Sequence, residues 1–248
     1  MRKINAWVRI LLGAVLAGVT AVAVAPSDHA AAAGGIEGID VSSHQGNVDW
    51  GAVAGAGIRF AYVKATEGTS YQNPYFAQQY VGSYNAGMVR GSYHFALPDA
   101  SSGAAQADYF ADHGGGWSAD NQTLPGSLDI EWNPYGATCY GLSPDQMVGW
   151  IADFVNRYRE RTGRDAVIYT AASWWNQCTG SSTAFAGTDP LWVAHYGVDS
   201  PNLPAGWGFY TFWQYTSTGS VPGVGGNVDR NVFNGDESRL LALANNSA

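Results

Sequence analysis

The chain of 248 residues carries 12 Lys and Arg against 20 Asp and Glu, a formal net charge of −8 at pH 7. So acidic a surface has little with which to neutralise a row of phosphates, which argues against nucleic acid as a partner. An apolar content of 46 %, dense in Trp and Tyr, argues against a disordered chain and for one large core.

Residues 1–33 read as a secretory signal. Arg2, Lys3 and Arg9 precede an apolar run of 16 residues from Ile10 to Ala25, and Pro26 to Ala33 supply a breaker and small residues, with cleavage expected between Ala30 and Gly35. Sixteen residues is short for a bilayer span and no positive cluster follows, so no membrane association is expected after cleavage. The mature chain, residues 34–248, keeps nine basic residues against nineteen acidic ones and is expected to be one secreted, extracellular, monomeric domain.

Within it, Ile36 to Val41 is a strand that delivers Asp40 near its C-terminal end. The polar loop Ser42 to Gly46 and a short helix from Asp49-Trp50 to about Gly55 follow. Arg59 to Ala65 is a second strand, and Pro74 to Asn85 carries Tyr75, Phe76, Gln79 and Tyr80 at helical intervals until Ala86-Gly87 stops it. Val89 to Leu97 is a third strand, Ser101 to His113 a helix ended by three glycines, and Gly126 to Trp132 the central strand. The next helix has the plainest signals. Ser143 is its N-cap, Pro144 its first residue, and Gln146 completes a capping box; Met147, Ile151, Phe154 and Tyr158 share one face, and Gly163 is the stop. Asp165 to Thr170 is a strand leading into a Trp-rich turn at Trp174-Trp175. Leu191 to Tyr196, Phe209 to Tyr215 and Asn227 to Val232 are three more strands, and Asp236 to Ala244 is a terminal helix. The glycine-rich stretch 221–226 is a plain turn, since it lacks the Gly-Lys-Ser/Thr ending of a phosphate loop. Strands that alternate with helices and then follow one another predict an α/β fold: an incomplete, irregular (β/α) barrel with about eight strands and fewer outer helices.

Cys139 and Cys178 are the only cysteines, and in a secreted chain an even count predicts a disulfide, here closing a loop of about 40 residues.

The chemistry concentrates in Leu128-Asp129-Ile130-Glu131-Trp132. In an extended strand alternate side chains share a face, so Asp129 and Glu131 point one way and Leu128, Ile130 and Trp132 the other. Asn133-Pro134 ends the strand, which puts the acids near its C-terminal end, where α/β barrels carry their active sites. Asp40 on the first strand and Asp229 on the last become neighbours when a barrel closes, so four carboxylates converge on one mouth. Like charges so gathered raise the pKa of at least one member, the condition for a carboxylic acid that donates a proton near neutral pH. Tyr93, Tyr169, Trp192, Trp213 and Tyr215 fall near strand ends, where flat rings can stack on sugar faces. His44, His94 and His195 lack metal-binding spacing, and neither a metal nor another cofactor is expected.

The words Gly38-Ile39-Asp40-Val41-Ser42, Gln45-Gly46 with Asp49-Trp50, Lys64-Ala65-Thr66-Glu67-Gly68, Tyr93-His94-Phe95, Asp129-Ile130-Glu131, Leu191-Trp192-Val193-Ala194, Trp213-Gln214-Tyr215 and Val228-Asp229-Arg230-Asn231 stand in one order. That order resembles glycoside hydrolase family 25 lysozymes along the whole mature chain. The resemblance implies a muramidase that cuts the β-1,4 bond from N-acetylmuramic acid to N-acetylglucosamine in peptidoglycan glycan strands. It also implies Glu131 as the acid, Asp129 assisting a nucleophile that belongs to the substrate, and Asp40 and Asp229 completing an acidic floor.

By the chemistry alone, a sugar with a 2-acetamido group can use its own carbonyl oxygen as nucleophile, and two carboxylates side by side suit that division of labour. Direct attack by Asp129, or inversion through a water held by Asp40 or Asp229, are the other routes. A chitinase-like glycosidase is the nearest rival, but its motif carries another Asp where this chain has Ser127. A non-catalytic wall-binding module would keep the aromatics and lose Glu131. The negative mature chain also predicts that lysis of whole cells, whose walls are themselves often anionic, speeds up from about 0.01 to 0.1 M salt, while cleavage of a neutral soluble oligosaccharide stays level. Initial rates on both substrates check this, and lysis that slows steadily from the lowest salt contradicts it.

Overall fold

A computed structural model describes residues 35–247, and the expected signal lies outside the described residues. In chain order the elements are β1 (Ile36–Val41), α1 (Trp50–Gly55), β2 (Phe60–Glu67), β3 (Tyr71–Gln72), α2 (Phe76–Asn85), β4 (Val89–Phe95), α3 (Gly103–Asp112) and β5 (Ser127–Asp129). There follow α4 (Pro144–Thr162), β6 (Val167–Thr170), α5 (Ala172–Thr179), β7 (Leu191–Ala194), β8 (Phe212–Gly219), β9 (Val228–Phe233) and α6 (Glu237–Asn245).

Eight strands close a barrel in the order β1-β2-β4-β5-β6-β7-β8-β9, with β9 pairing back onto β1 and the two-residue β3 appended to the end of β2. From β1 round to β8 every pairing is parallel, whereas β9 is antiparallel to both neighbours. The connections explain this. A parallel neighbour needs a crossover, and the short glycine-rich turn between β8 and β9 can only return the chain alongside itself. Asp229 therefore enters from the start of β9, directly opposite Asp40 near the end of β1.

Inside the barrel Phe60, Tyr62, Trp192, Phe212 and Phe233 form an apolar layer that Leu240 and Ala244 of α6 close at the N-terminal ends of the strands. Gly38 and Gly91 make room for it: a Cβ at either would stand 2.3 Å from the ring of Phe60 or Tyr62. The helices pack outside in two further clusters, with α4 the largest contributor. Its Ser143–Gln146 capping box and left-handed Gly163 are present, and Met147, Ile151, Phe154 and Tyr158 are buried as the periodicity predicts. The Tyr158 hydroxyl accepts from Gly126 N at 2.7 Å and donates to Gly115 O at 2.9 Å, which anchors the entrance to β5.

Two expectations are corrected. The central strand is shorter than 126–132: β5 ends at Asp129, although Ile130 N still bonds Tyr169 O at 3.0 Å. Leu128 and Ile130 are buried, but Trp132 is 42 % exposed, because the Asn133 side chain accepts from Tyr135 N and turns the chain out of the barrel after Glu131. The Trp-rich turn is the helix α5, with Trp174 and Trp175 fully buried and their ring N–H groups bonded to Thr138 O and Ser182 O.

Cys139 and Cys178 form the predicted disulfide, stapling the loop that follows β5 to α5. A cross-link closing about 40 residues contributes roughly 4 kcal/mol by chain entropy, so reduction should lower Tm by about 10 °C in a domain of this size. Melting with and without reductant checks this, and an unchanged Tm contradicts it. Among the described residues no helix is long and apolar enough to cross a membrane.

Candidate active site

The C-terminal ends of the parallel strands open on a cleft of about 270 Å³ whose lining includes Asp40, Asp129, Glu131 and Asp229. Each strand contributes through its parity. Asp129 is the last residue of β5, Glu131 lies two residues on and faces the same way, and the antiparallel β1–β9 pair sets Asp40 against Asp229. The Ser42–Gly46 loop beside Asp40 is pinned by buried Gln79 of α2, whose Nε2 donates to Ser42 O at 2.7 Å and Gly46 O at 2.8 Å.

Asp40 is held by two amides: Gln214 Nε2 donates to its Oδ2 at 2.8 Å and Asn231 Nδ2 at 2.7 Å. The amides are themselves oriented, since Gln214 Oε1 accepts from Tyr169 at 2.8 Å and Tyr196 at 2.5 Å, and Asn231 Oδ1 accepts from Trp192 Nε1 at 2.8 Å. Burial pushes the Asp40 carboxyl up to about 6, with the two amides pulling the other way. Asp129 and Glu131 face the cleft side by side, two residues apart in the chain, and each is buried enough for its carboxyl to be raised. Burial, and then the neighbouring Asp40 charge, push Glu131 up to about 7; burial and the Glu131 charge hold Asp129 well above the usual carboxylate range. Asp229 is pushed up to about 8 by burial and by Asp40. Oδ1 of Asp129 is buried with no hydrogen-bond partner.

Tyr93, Tyr169 and Trp192 line the cleft. Trp213 and Tyr215 do not: they alternate with Gln214 along β8 and face the outer core, where Trp213 Nε1 donates to His195 O and the Tyr215 hydroxyl to Glu37. The same parity that turns these two aromatics outward turns Gln214 inward. Gln214 and Asn231 stand inside two of the motif words, but the sequence assigns no role to an amide, or to a loop tyrosine such as Tyr196, until its partner is known. His44 lies at the cleft, while His94 is buried between Thr66 and Gln106. Among the described residues no three His, Cys, Asp or Glu side chains are placed to hold a metal ion.

Gathering these carboxyls costs stability as pH rises. Their folded-state pKa values of about 6 to 8 lie above the ordinary value near 4, so the folded state binds more protons, and its stability is full below about pH 4 and lost as pH climbs through 6 to 8. His94, lowered to about 4 by burial, acts oppositely between about 4 and 6.5, so the cluster is read most cleanly above that range. Asp229→Asn should raise Tm by a few degrees at pH 8 to 9 and hardly at all at pH 5. Melting curves across that range check this, and an equal effect at both ends contradicts it.

A closed, mostly parallel barrel with a neighbouring carboxyl pair and aromatic walls at the C-terminal mouth has the make-up of a glycoside hydrolase. Residues 39–224 match the model of glycosyl hydrolases family 25, and the chain belongs to that family. It is 62 % identical over 214 residues to lysozyme M1 of Streptomyces globisporus, covering 86 % of this chain and 73 % of that protein. It is 47 % identical to an N,O-diacetylmuramidase of Chalaropsis sp, covering 78 % of this chain and 96 % of the relative. The crystal structure of the bacterial lysozyme from Streptomyces coelicolor superposes with a TM-score of 0.86 at 62 % identity, over 87 % of this chain and all of that one.

Proposed function

We propose that this chain is a secreted lysozyme, an N-acetylmuramidase that cleaves the β-1,4 bond from N-acetylmuramic acid to N-acetylglucosamine in peptidoglycan. Glu131 is the general acid and Asp129 the carboxylate that orients the substrate's 2-acetamido group. The observation that carries this is the Asp129–Glu131 pair, side by side in the cleft lining with burial holding both carboxyls above their ordinary range. Of two neighbouring carboxyls in different surroundings, one can serve as acid while the other stays a carboxylate. Glu131 gives its proton to the glycosidic oxygen as the C–O bond breaks. Asp129 accepts the acetamido N–H, and the acetamido carbonyl oxygen forms the new bond to the anomeric carbon; water later opens that cyclic intermediate. The buried, unpartnered Oδ1 of Asp129 suits a substrate N–H, since an acceptor left unpaired at that depth is costly.

Asp129 and Glu131 stand side by side at the end of one strand rather than on opposite walls of the cleft, which suits one acid and one carboxylate that orients the substrate's amide. That favours the substrate-assisted route. Asp40, held by Gln214 and Asn231, supplies negative charge beneath the oxocarbenium-like transition state, with Asp229 beside it. Secretion rests on the signal-like residues 1–33 and on the disulfide, which oxidising compartments favour. Mass spectrometry of fragments released from purified peptidoglycan tests the reading. New reducing ends on N-acetylmuramic acid are expected; reducing ends on N-acetylglucosamine, or binding without release, contradict it.

A further inference from the structure

Lys64 is the one Lys or Arg among the described residues lining the cleft, and it is held from several sides. Its Nζ lies 2.5 Å from Oε2 of Glu67, with the two side chains only 15 % and 14 % exposed. The ammonium also sits 4.7 Å from the centre of the Phe95 ring and 5.4 Å from that of Tyr71. Glu67 accepts on Oε1 the hydroxyl of Tyr135 at 2.6 Å, and that bond pushes the phenol up to about 12, so Tyr135 remains the donor at any working pH. Tyr135 is 71 % exposed and lies on the loop into which the chain runs directly from Glu131. The loop leaving the acid is thus tied to β2 through the ion pair that presents a single basic side chain to the carboxyls.

We propose that Glu67 and Tyr135 are positioning residues: they fix where Lys64 stands and how far it is neutralised, and so set the pH range in which the acid of the Asp129–Glu131 pair stays protonated. The inference rests on the reading of that pair as acid and assistant. Lys64 acts on both members, favouring their ionised forms, while Glu67 opposes it at Asp129. Of the other groups facing the pair, Asp40 and Asp229 on β1 and β9 are charged or titrate nearby. His94 on β4 is kept neutral by burial, His44 on the loop after β1 also lines the cleft, and the phenols of Tyr93, Tyr140, Tyr169 and Tyr196 are pushed far above neutrality. Among these groups only the Lys64–Glu67 pair combines opposite charges, so unbalancing it has a sign.

Glu67→Gln leaves Lys64 without its counter-charge, which favours ionised carboxylates and should move the alkaline limb of the activity profile to lower pH. Lys64→Met leaves Glu67 facing the carboxyls and should move the limb to higher pH. Each shift should be about half a pH unit or more, as expected of one charge several ångströms away in partly screened surroundings. The Lys64→Met/Glu67→Gln double variant should return towards wild type. Tyr135→Phe keeps the exposed ring but removes the donor that partly offsets the Glu67 charge, and should shift the limb in the Lys64→Met sense by less.

The experiment is kcat/KM from about pH 4.5 to 9 on a soluble peptidoglycan oligosaccharide, with thermal melts to confirm folding. A limb that moves the same way in both ion-pair variants, or a Tyr135→Phe profile that superimposes on wild type, overturns the proposal. Glu131→Gln in the same assay separates the two levels: an active Glu131→Gln protein sinks the acid assignment itself, whatever the limbs do.

Discussion

Glu131→Gln should lower kcat on peptidoglycan by about 10²- to 10⁴-fold while leaving the fold and substrate binding in place. Gln has the shape of the protonated acid and fills the same space, but it has no proton of the right acidity for a departing sugar oxygen. The fold should survive because Glu131 lies past the end of β5 and the substitution removes a charge from a cleft that already holds too many of one sign. In the wild type, activity should fall as pH rises through about 7, where Glu131 loses its proton, and Glu131→Gln should lack that limb. Steady-state kinetics decide it: a variant keeping more than about a tenth of the wild-type rate removes Glu131 from the acid's role.

Asp129→Asn should cost a smaller but still large factor, about 10- to 10³-fold in kcat. Asn can accept the acetamido N–H through its carbonyl oxygen, so binding persists. What it lacks is the negative charge that draws electron density towards the attacking carbonyl oxygen as the new bond forms. The loss should therefore sit in kcat with KM little changed. A variant with a wild-type kcat, or one whose defect lies wholly in KM, contradicts the assistant's role.

Much of this is legible in residues whose signals are local. The Ser143–Gln146 cap, the buried face of α4 and its stop at Gly163 all follow from contacts within a few residues, and they appear where the spacing puts them. The convergence of Asp40, Asp129, Glu131 and Asp229 is legible because barrel closure makes neighbours of the first and last strands, and the β1–β9 register places Asp40 opposite Asp229. Trp213 and Tyr215 face the outer core rather than the cleft because side-chain parity on a short strand depends on where its register begins, which partner strands decide. Trp132 looked like core because alternation was carried one residue past the point where Asn133 turns the chain away. Lys64 and Glu67 stand in one motif word, but Tyr135 lies 68 residues beyond Glu67 and nothing at its position announces the link.

The central claim is that Glu131 protonates the leaving sugar, and the most direct test varies how much protonation the leaving group needs. Wild type and Glu131→Gln would be compared on the natural glycan and on an aryl glycoside of a muramic-acid-containing saccharide whose phenol departs readily as its anion. Glu131→Gln is predicted to release the aryl group at a rate within about tenfold of wild type while remaining at least about 10²-fold slower on the glycan. Equal losses on both substrates would contradict the assignment.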